Sequence, residues 1–103
     1  MSIEPQPPVL KPGDTVGILG GGQLGRMMAM AAATLGLRTH IFCPDHRSPA
    51  FQVCDQVTCA DYHDDTALAL FADAIDVTTY EFENIPDEAV AYLSARARLY
   101  PSE

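Results

Sequence analysis

The sequence is short of positive charge. Six lysines and arginines stand against fourteen aspartates and glutamates, a formal net charge of −8, and the basic residues do not cluster. Nucleic acid and anionic membrane surfaces are therefore poor partners. The excess acid reads as solubility rather than as acidic chemistry. An anionic ligand would have to be held by backbone N–H groups, by Arg26, or by residues outside the chain. No C-x-x-C occurs, and the cysteines number three, Cys43, Cys54 and Cys59. An odd set without metal-ligand spacing argues against a disulfide framework or a zinc site and for reduced thiols in a cytoplasm. The first residues lack the apolar stretch of a signal peptide, and no apolar run approaches the ~20 residues that span a bilayer.

Other absences concern catalysis. His40, His46 and His63 do not space as a metal site. His40 alternates outward on its strand and the other two fall in loops, so all three read as surface histidines. Asp61, Asp64 and Asp65 lack the glycine and the distal glutamate of a calcium loop. No Ser/His/Asp or Cys/His set can be assembled, so no catalytic residue and no metal ligand is assigned. There are no internal repeats.

What is present suits one small domain, or a piece of a larger protein: 48% of the 103 residues are hydrophobic, enough to bury a core. Residues 1–13 hold Pro5, Pro7, Pro8 and Pro12 and read as a flexible Pro-rich tail, ending in a turn at Pro12-Gly13-Asp14. Residues 14–103 read as the folded domain. Apolar or β-branched runs at 15–20, 38–43, 56–60 and 76–80 predict strands. Between them, Leu24, Met27, Met28, Ala31 and Leu35 form an apolar stripe on a helix over 23–35, stopped by Gly36. A short helical turn is expected at 50–54. Asp64 caps a helix through Ala74, with Ala67, Leu68, Phe71 and Ile75 on its stripe. Pro86 suits the first turn of a last helix, anchored by Ala89, Val90 and Leu93. Asn84 reads as a cap to that helix rather than as a ligand contact.

The alternation implies an α/β fold, a Rossmann-like parallel sheet with helices on both faces. The stretch 15–28, TVGILGGGQLGRMM, organises it. Gly20, Gly22 and Gly25 match G-x-G-x-x-G between a strand and a helix. Glycines there permit a tight turn and close backbone approach, and the helix start offers free N–H groups to an anion. The other reading is a tight turn without a ligand. With strand order 3-2-1-4, the ends of strands one and four flank the topological switch point, where ligands bind in such folds. The glycine loop at 20–25 and the acidic loop at 81–84 then form one crevice, with backbone donors on one wall and carboxylates on the other. Glu81 points into it and accepts a hydrogen bond from a ligand amine or hydroxyl, or is a solvated loop acid. Glu83 reads as the solvated acid of the pair. A dinucleotide site needs an acid at the end of strand two for the ribose hydroxyls. Strand two instead ends in Cys43-Pro44, and Asp45 comes late.

Three motifs, GGGQLGRM at 20–27, SPAFQ at 48–52 and YEFENIP at 80–86, in this order and spacing, resemble the N-terminal domain of the N5-carboxyaminoimidazole ribonucleotide synthetases. The resemblance covers residues 13 to 103. It implies a pre-ATP-grasp domain, whose Rossmann-like sheet does not bind a dinucleotide. The family implies a ligase of purine biosynthesis, in which ATP and bicarbonate give carboxyphosphate and the carboxyl ends on the amine of 5-aminoimidazole ribonucleotide. By the same resemblance, Gly22, Gln23, Leu24 and Glu81 are the substrate-binding residues, with Glu81 orienting the exocyclic amine. ATP and magnesium bind outside these residues, in ATP-grasp domains of a parent several hundred residues long. The chain is thus expected to be a fragment, inactive alone, of a cytoplasmic, homodimeric enzyme. Two other readings remain: an NAD(P)-binding Rossmann domain of an oxidoreductase or regulatory protein, and a non-catalytic interaction module on the same fold. Cys43 in place of an acid weighs against the first. A crevice without a ligand and a large exposed apolar patch would mark the second.

Overall fold

The computed structural model describes residues 10–80 and 85–96. The Pro-rich tail through residue 9, the acidic loop at 81–84 with Glu81, Glu83 and Asn84, and residues 97–103 lie outside them. Four strands, β1 (Thr15–Leu19), β2 (Arg38–Phe42), β3 (Gln56–Thr58) and β4 (Val77–Tyr80), form an all-parallel sheet in the order β3-β2-β1-β4. Three helices, α1 (Gln23–Thr34), α2 (Asp65–Asp73) and α3 (Asp87–Ser94), and a 3-10 turn at Pro49–Gln52 complete it. Fold class and strand order are those expected from the alternation of elements.

Parallel neighbours must be joined by crossovers, and a helix is the usual one. α1 carries the chain from β1 to β2 on one face, and α2 carries it from β3 to β4 on the other. β1 sits in the middle, paired with β2 from Thr15↔Arg38 to Leu19↔Phe42 and with β4 from Val16↔Val77 to Leu19↔Tyr80. Two cores result. Ile18, Ile41, Ala29 and Ala50 close the α1 face, and Leu19, Phe42, Leu68, Phe71, Ala89 and Leu93 close the α2–α3 face. Asp64 caps α2 as expected, its carboxylate accepting from the Ala67 N–H at 3.0 Å. Gly36 ends α1 with φ +77°, a backbone that glycine adopts without strain.

Three expectations are corrected. Of the stripe of Leu24, Met27, Met28, Ala31 and Leu35, Met28 alone packs against the core on the sheet, and the other four are exposed. α1 buries Gly25, Ala29 and Ala32 instead. The small residues at i, i+4 and i+7 let the helix lie close against the strands, and size overrides hydrophobicity. His40 is buried, not outward. Both faces of a parallel sheet are covered, so alternation does not separate core from solvent. Its ring meets Phe71 edge-on at 4.9 Å between centroids, and Nε2 lies 2.6 Å from Thr58 Oγ1. Finally, Pro86 is the cap residue of α3 rather than a first-turn residue, so the cap does not fall at Asn84.

Candidate ligand-binding crevice

β1 ends at Leu19, and its chain turns at once. Gly20 takes φ +115°, which an L side chain rarely adopts. Its N–H donates to the Phe42 carbonyl at 2.9 Å, so the loop stays tied to β2 as it leaves the sheet. Gly21 is buried, and its carbonyl accepts from the Ala50 N–H at 3.0 Å. Gly22 is the cap residue of α1. Being glycine, it offers no side chain to cap that helix, and no acid stands in the first turn. The positive end of the helix dipole points out of the glycine loop, where it favours negative charge.

The loop after β2 forms the facing wall. Ser48 is buried. Its hydroxyl donates to the Asp45 carbonyl, and its Oγ lies 3.0 Å from Cys43 Sγ. The Asp45 carboxylate accepts from the Arg47 N–H at 2.9 Å, a tight turn that fixes the loop. Arg26 donates from Nη1 to Gln52 Oε1 at 2.9 Å, tying the first turn of α1 to the 3-10 turn. One guanidinium nitrogen is thus engaged by an amide. Together, Gly20–Gly22, the loop residues Cys43, Pro44, Asp45, Ser48 and Pro49, and Tyr62 line an open cavity of about 390 Å³ at the carboxyl ends of β1 and β2.

Of the residues expected to bind substrate, Gly22 lines this cavity. Gln23 and Leu24 begin α1 on an exposed surface and do not line it. Glu81 is outside the described residues. β4 ends at Tyr80, the register partner of Leu19, the residue that leads into the glycine loop. The wall built by Cys43, Asp45 and Ser48 lies on the β2 side of β1, whereas the topological switch point lies between β1 and β4. The SPAFQ motif at 48–52 marks part of it in the sequence. Burial pushes the Cys54 thiol up and the His40 imidazole down from their ordinary values, and neither side chain lines the cavity. Among the described residues no group of three or more His, Cys, Asp or Glu side chains could hold a metal ion. The arrangement offers backbone donors, carbonyl and hydroxyl groups and one aromatic ring to a polar ligand. That is equipment for binding.

An open parallel sheet with a glycine loop leading into a helix and a cavity at its carboxyl edge defines a Rossmann-like domain. The ribonucleotide synthetase preATP-grasp domain family model matches residues 14–103, and the chain belongs to that family. It is 53% identical over 100 residues to the bifunctional purine synthesis protein purC/E of Dictyostelium discoideum, covering 97% of this chain and 10% of that protein. It is also 53% identical over 92 residues to the N5-carboxyaminoimidazole ribonucleotide synthase of Brucella melitensis, covering 89% of this chain and 25% of the relative. Among solved structures, it resembles an ADP complex of N5-carboxyaminoimidazole ribonucleotide synthetase with TM-score 0.83 and 45% identity, over 88% of this chain and 24% of that one. The Aspergillus clavatus enzyme, in complex with ADP and 5-aminoimidazole ribonucleotide, matches with TM-score 0.74 and 31% identity, over 88% and 24% of the two chains. The chain thus spans a quarter or less of the length of these relatives.

Proposed function

We propose that residues 14–103 are the substrate-binding domain of an N5-carboxyaminoimidazole ribonucleotide synthase. In the whole protein, ATP and bicarbonate drive carboxylation of the exocyclic amine of 5-aminoimidazole ribonucleotide. The observation that carries this reading is the coincidence of family and geometry: the family's glycine motif leads from β1 into α1, and Gly20–Gly22 line a cavity at the carboxyl edge of the sheet. The solved relative from Aspergillus clavatus, in complex with 5-aminoimidazole ribonucleotide, supplies the substrate class.

The roles follow from the chemistry of a ribonucleotide. Gly22, Gln23 and Leu24 present the loop and the first turn of α1. There, backbone N–H groups suit the electronegative atoms of the ligand. Glu81 accepts a hydrogen bond from the exocyclic amine and orients its lone pair. ATP and magnesium bind in ATP-grasp domains beyond these residues, so the chain alone binds and does not turn over. The complete enzyme is a cytoplasmic homodimeric ligase. Cys43 stands where a dinucleotide-binding domain would place its ribose acid, which disfavours NAD.

The test is a ligand-observed NMR titration of the chain with 5-aminoimidazole ribonucleotide and NAD in parallel. Line broadening with the ribonucleotide alone is expected. Broadening with NAD alone overturns the reading.

A further inference from the structure

The geometry points to Cys43 and Cys59 as a redox-sensitive thiol pair on the rim of the crevice, which glutathione disulfide closes into an intramolecular disulfide. β2 and β3 run in register from His40↔Gln56 to Phe42↔Thr58. The pairing continues past the last strand residues, because the Cys43 N–H donates to the Thr58 carbonyl at 3.1 Å. The next pair in that register is Cys43 beside Cys59. Adjacent strands lie about 4.8 Å apart, and disulfide-linked Cα atoms span about 4.4–6.8 Å. The two backbones therefore already stand within bridging distance.

The side chains share a face. His40 and Phe42 turn toward Phe71 on the α2 side. Ile41 and Cys43 then turn the other way, into the core that holds Ala29 and Ala50. On β3 the Thr58 hydroxyl meets His40, so Val57 and Cys59 lie on the side of Cys43. Cys59 is exposed, and its Sγ lies 3.4 Å from the carbonyl oxygen of Pro44, the residue after Cys43. Closing the bridge needs the Cβ atoms to approach by about 1 Å, at the point where both strands end.

The chemistry balances as thiol–disulfide exchange. The Cys59 thiolate attacks glutathione disulfide, forming a mixed disulfide and releasing one glutathione. The Cys43 thiolate then attacks Cys59 Sγ and releases the second. The two protein thiol protons end, by way of solvent, on the two released glutathione thiols; the protein loses two electrons and the oxidant gains them. Cys43 lines the cavity and lies against Ser48 Oγ at 3.0 Å. The bridge turns Cys43 away from Ser48 and so reshapes the wall that faces Gly21. This inference rests on the sheet register, not on the ligand of the crevice.

The experiment treats the reduced chain with glutathione disulfide, alkylates the remaining thiols and maps the bridges by mass spectrometry. Cleavage after Arg47 and before Asp55 separates the three cysteines. A Cys43–Cys59 bridge with Cys54 alkylated is expected, together with shifts of the Gly21, Gly22 and Ser48 amides in NMR spectra of the oxidised chain. Cys54→Ser keeps the bridge and Cys59→Ser abolishes it. A bridge through Cys54, dimers linked between chains, or a stable glutathione adduct on Cys59 without closure overturns the proposal. So does a bridge that leaves the three amides unmoved.

Discussion

Gly21 and Ser48 pack so closely that the glycine cannot gain a methyl group in place: a Cβ built on Gly21 lies 2.5 Å from Ser48 Cβ and 3.0 Å from Cys43 Cβ. This contact sets the width of the crevice at its base. Ser48 cannot retreat freely, because its hydroxyl is held by the Asp45 carbonyl and the Ala50 N–H is bonded to Gly21. Gly21→Ala is therefore expected to overpack the loop and cost about 1–3 kcal/mol. Urea unfolding reads this as a lower midpoint with an unchanged slope. An unchanged midpoint would show that the 43–49 loop yields without cost.

The burial of α1 gives a paired expectation. Ala29 is fully buried against the sheet, while Met27 is 59% exposed. Ala29→Met should cost about 1–3 kcal/mol through overpacking. Met27→Gln should stay within about 0.5 kcal/mol of the parent chain. The hydrophobic stripe read from the sequence demands the reverse order, so thermal unfolding of the two variants separates the two registers of the helix.

That helix shows where legibility ends. Strand order, the glycine turn, the Asp64 cap and the stop at Gly36 were readable because each rests on a local backbone demand. The orientation of α1 was not, because hydrophobicity ranks Leu24 and Met27 above Gly25, whereas the distance of closest approach to the sheet ranks them the other way. The third glycine of G-x-G-x-x-G was the available clue, since its place is close helix–strand packing. His40 failed for a related reason: a two-sided sheet has no solvent face for alternation to find. On the site, one wall was legible in the glycine motif. The other, at Cys43, Asp45 and Ser48, depends on the long-range contact of Ser48 with Gly21: the SPAFQ motif marks the segment, but its spacing does not say what the segment packs against.

His40 makes stability depend on pH. The ring is buried, its Nδ1 has no hydrogen-bond partner, and burial lowers its pKa from the ordinary value of 6.5. Above pH 6.5 the imidazole is neutral in both the folded and the unfolded chain, and nothing is lost. Below it the unfolded chain binds the proton first, so stability falls as pH drops toward the folded-state value. His40→Gln removes the titration while leaving a side chain that can reach Thr58. The expected result is a shallower decline of the unfolding temperature with acid in the variant than in the parent chain. Equal slopes would mean that His40 is as accessible to protons in the folded state as in the unfolded.

The expectation for Glu81 concerns the full-length enzyme of the proposed function, assayed with all its substrates. If the Glu81 carboxylate accepts a hydrogen bond from the exocyclic amine, Glu81→Gln keeps the shape and removes the charge. A hydrogen bond to a charged group contributes about 1.5–3 kcal/mol, so kcat/KM for the ribonucleotide should fall by about 10- to 100-fold. The KM for ATP should hold, because in the proposed arrangement ATP binds in a different part of the protein. A structural role would instead lower the unfolding midpoint and disturb both substrates together, since residue 81 follows Tyr80, the register partner of Leu19 at the end of the central strand. Steady-state kinetics in each substrate, set beside a urea titration, distinguish the two. Unchanged kinetics would remove Glu81 from the site and leave ligand recognition to the glycine loop and the wall that Ser48 builds.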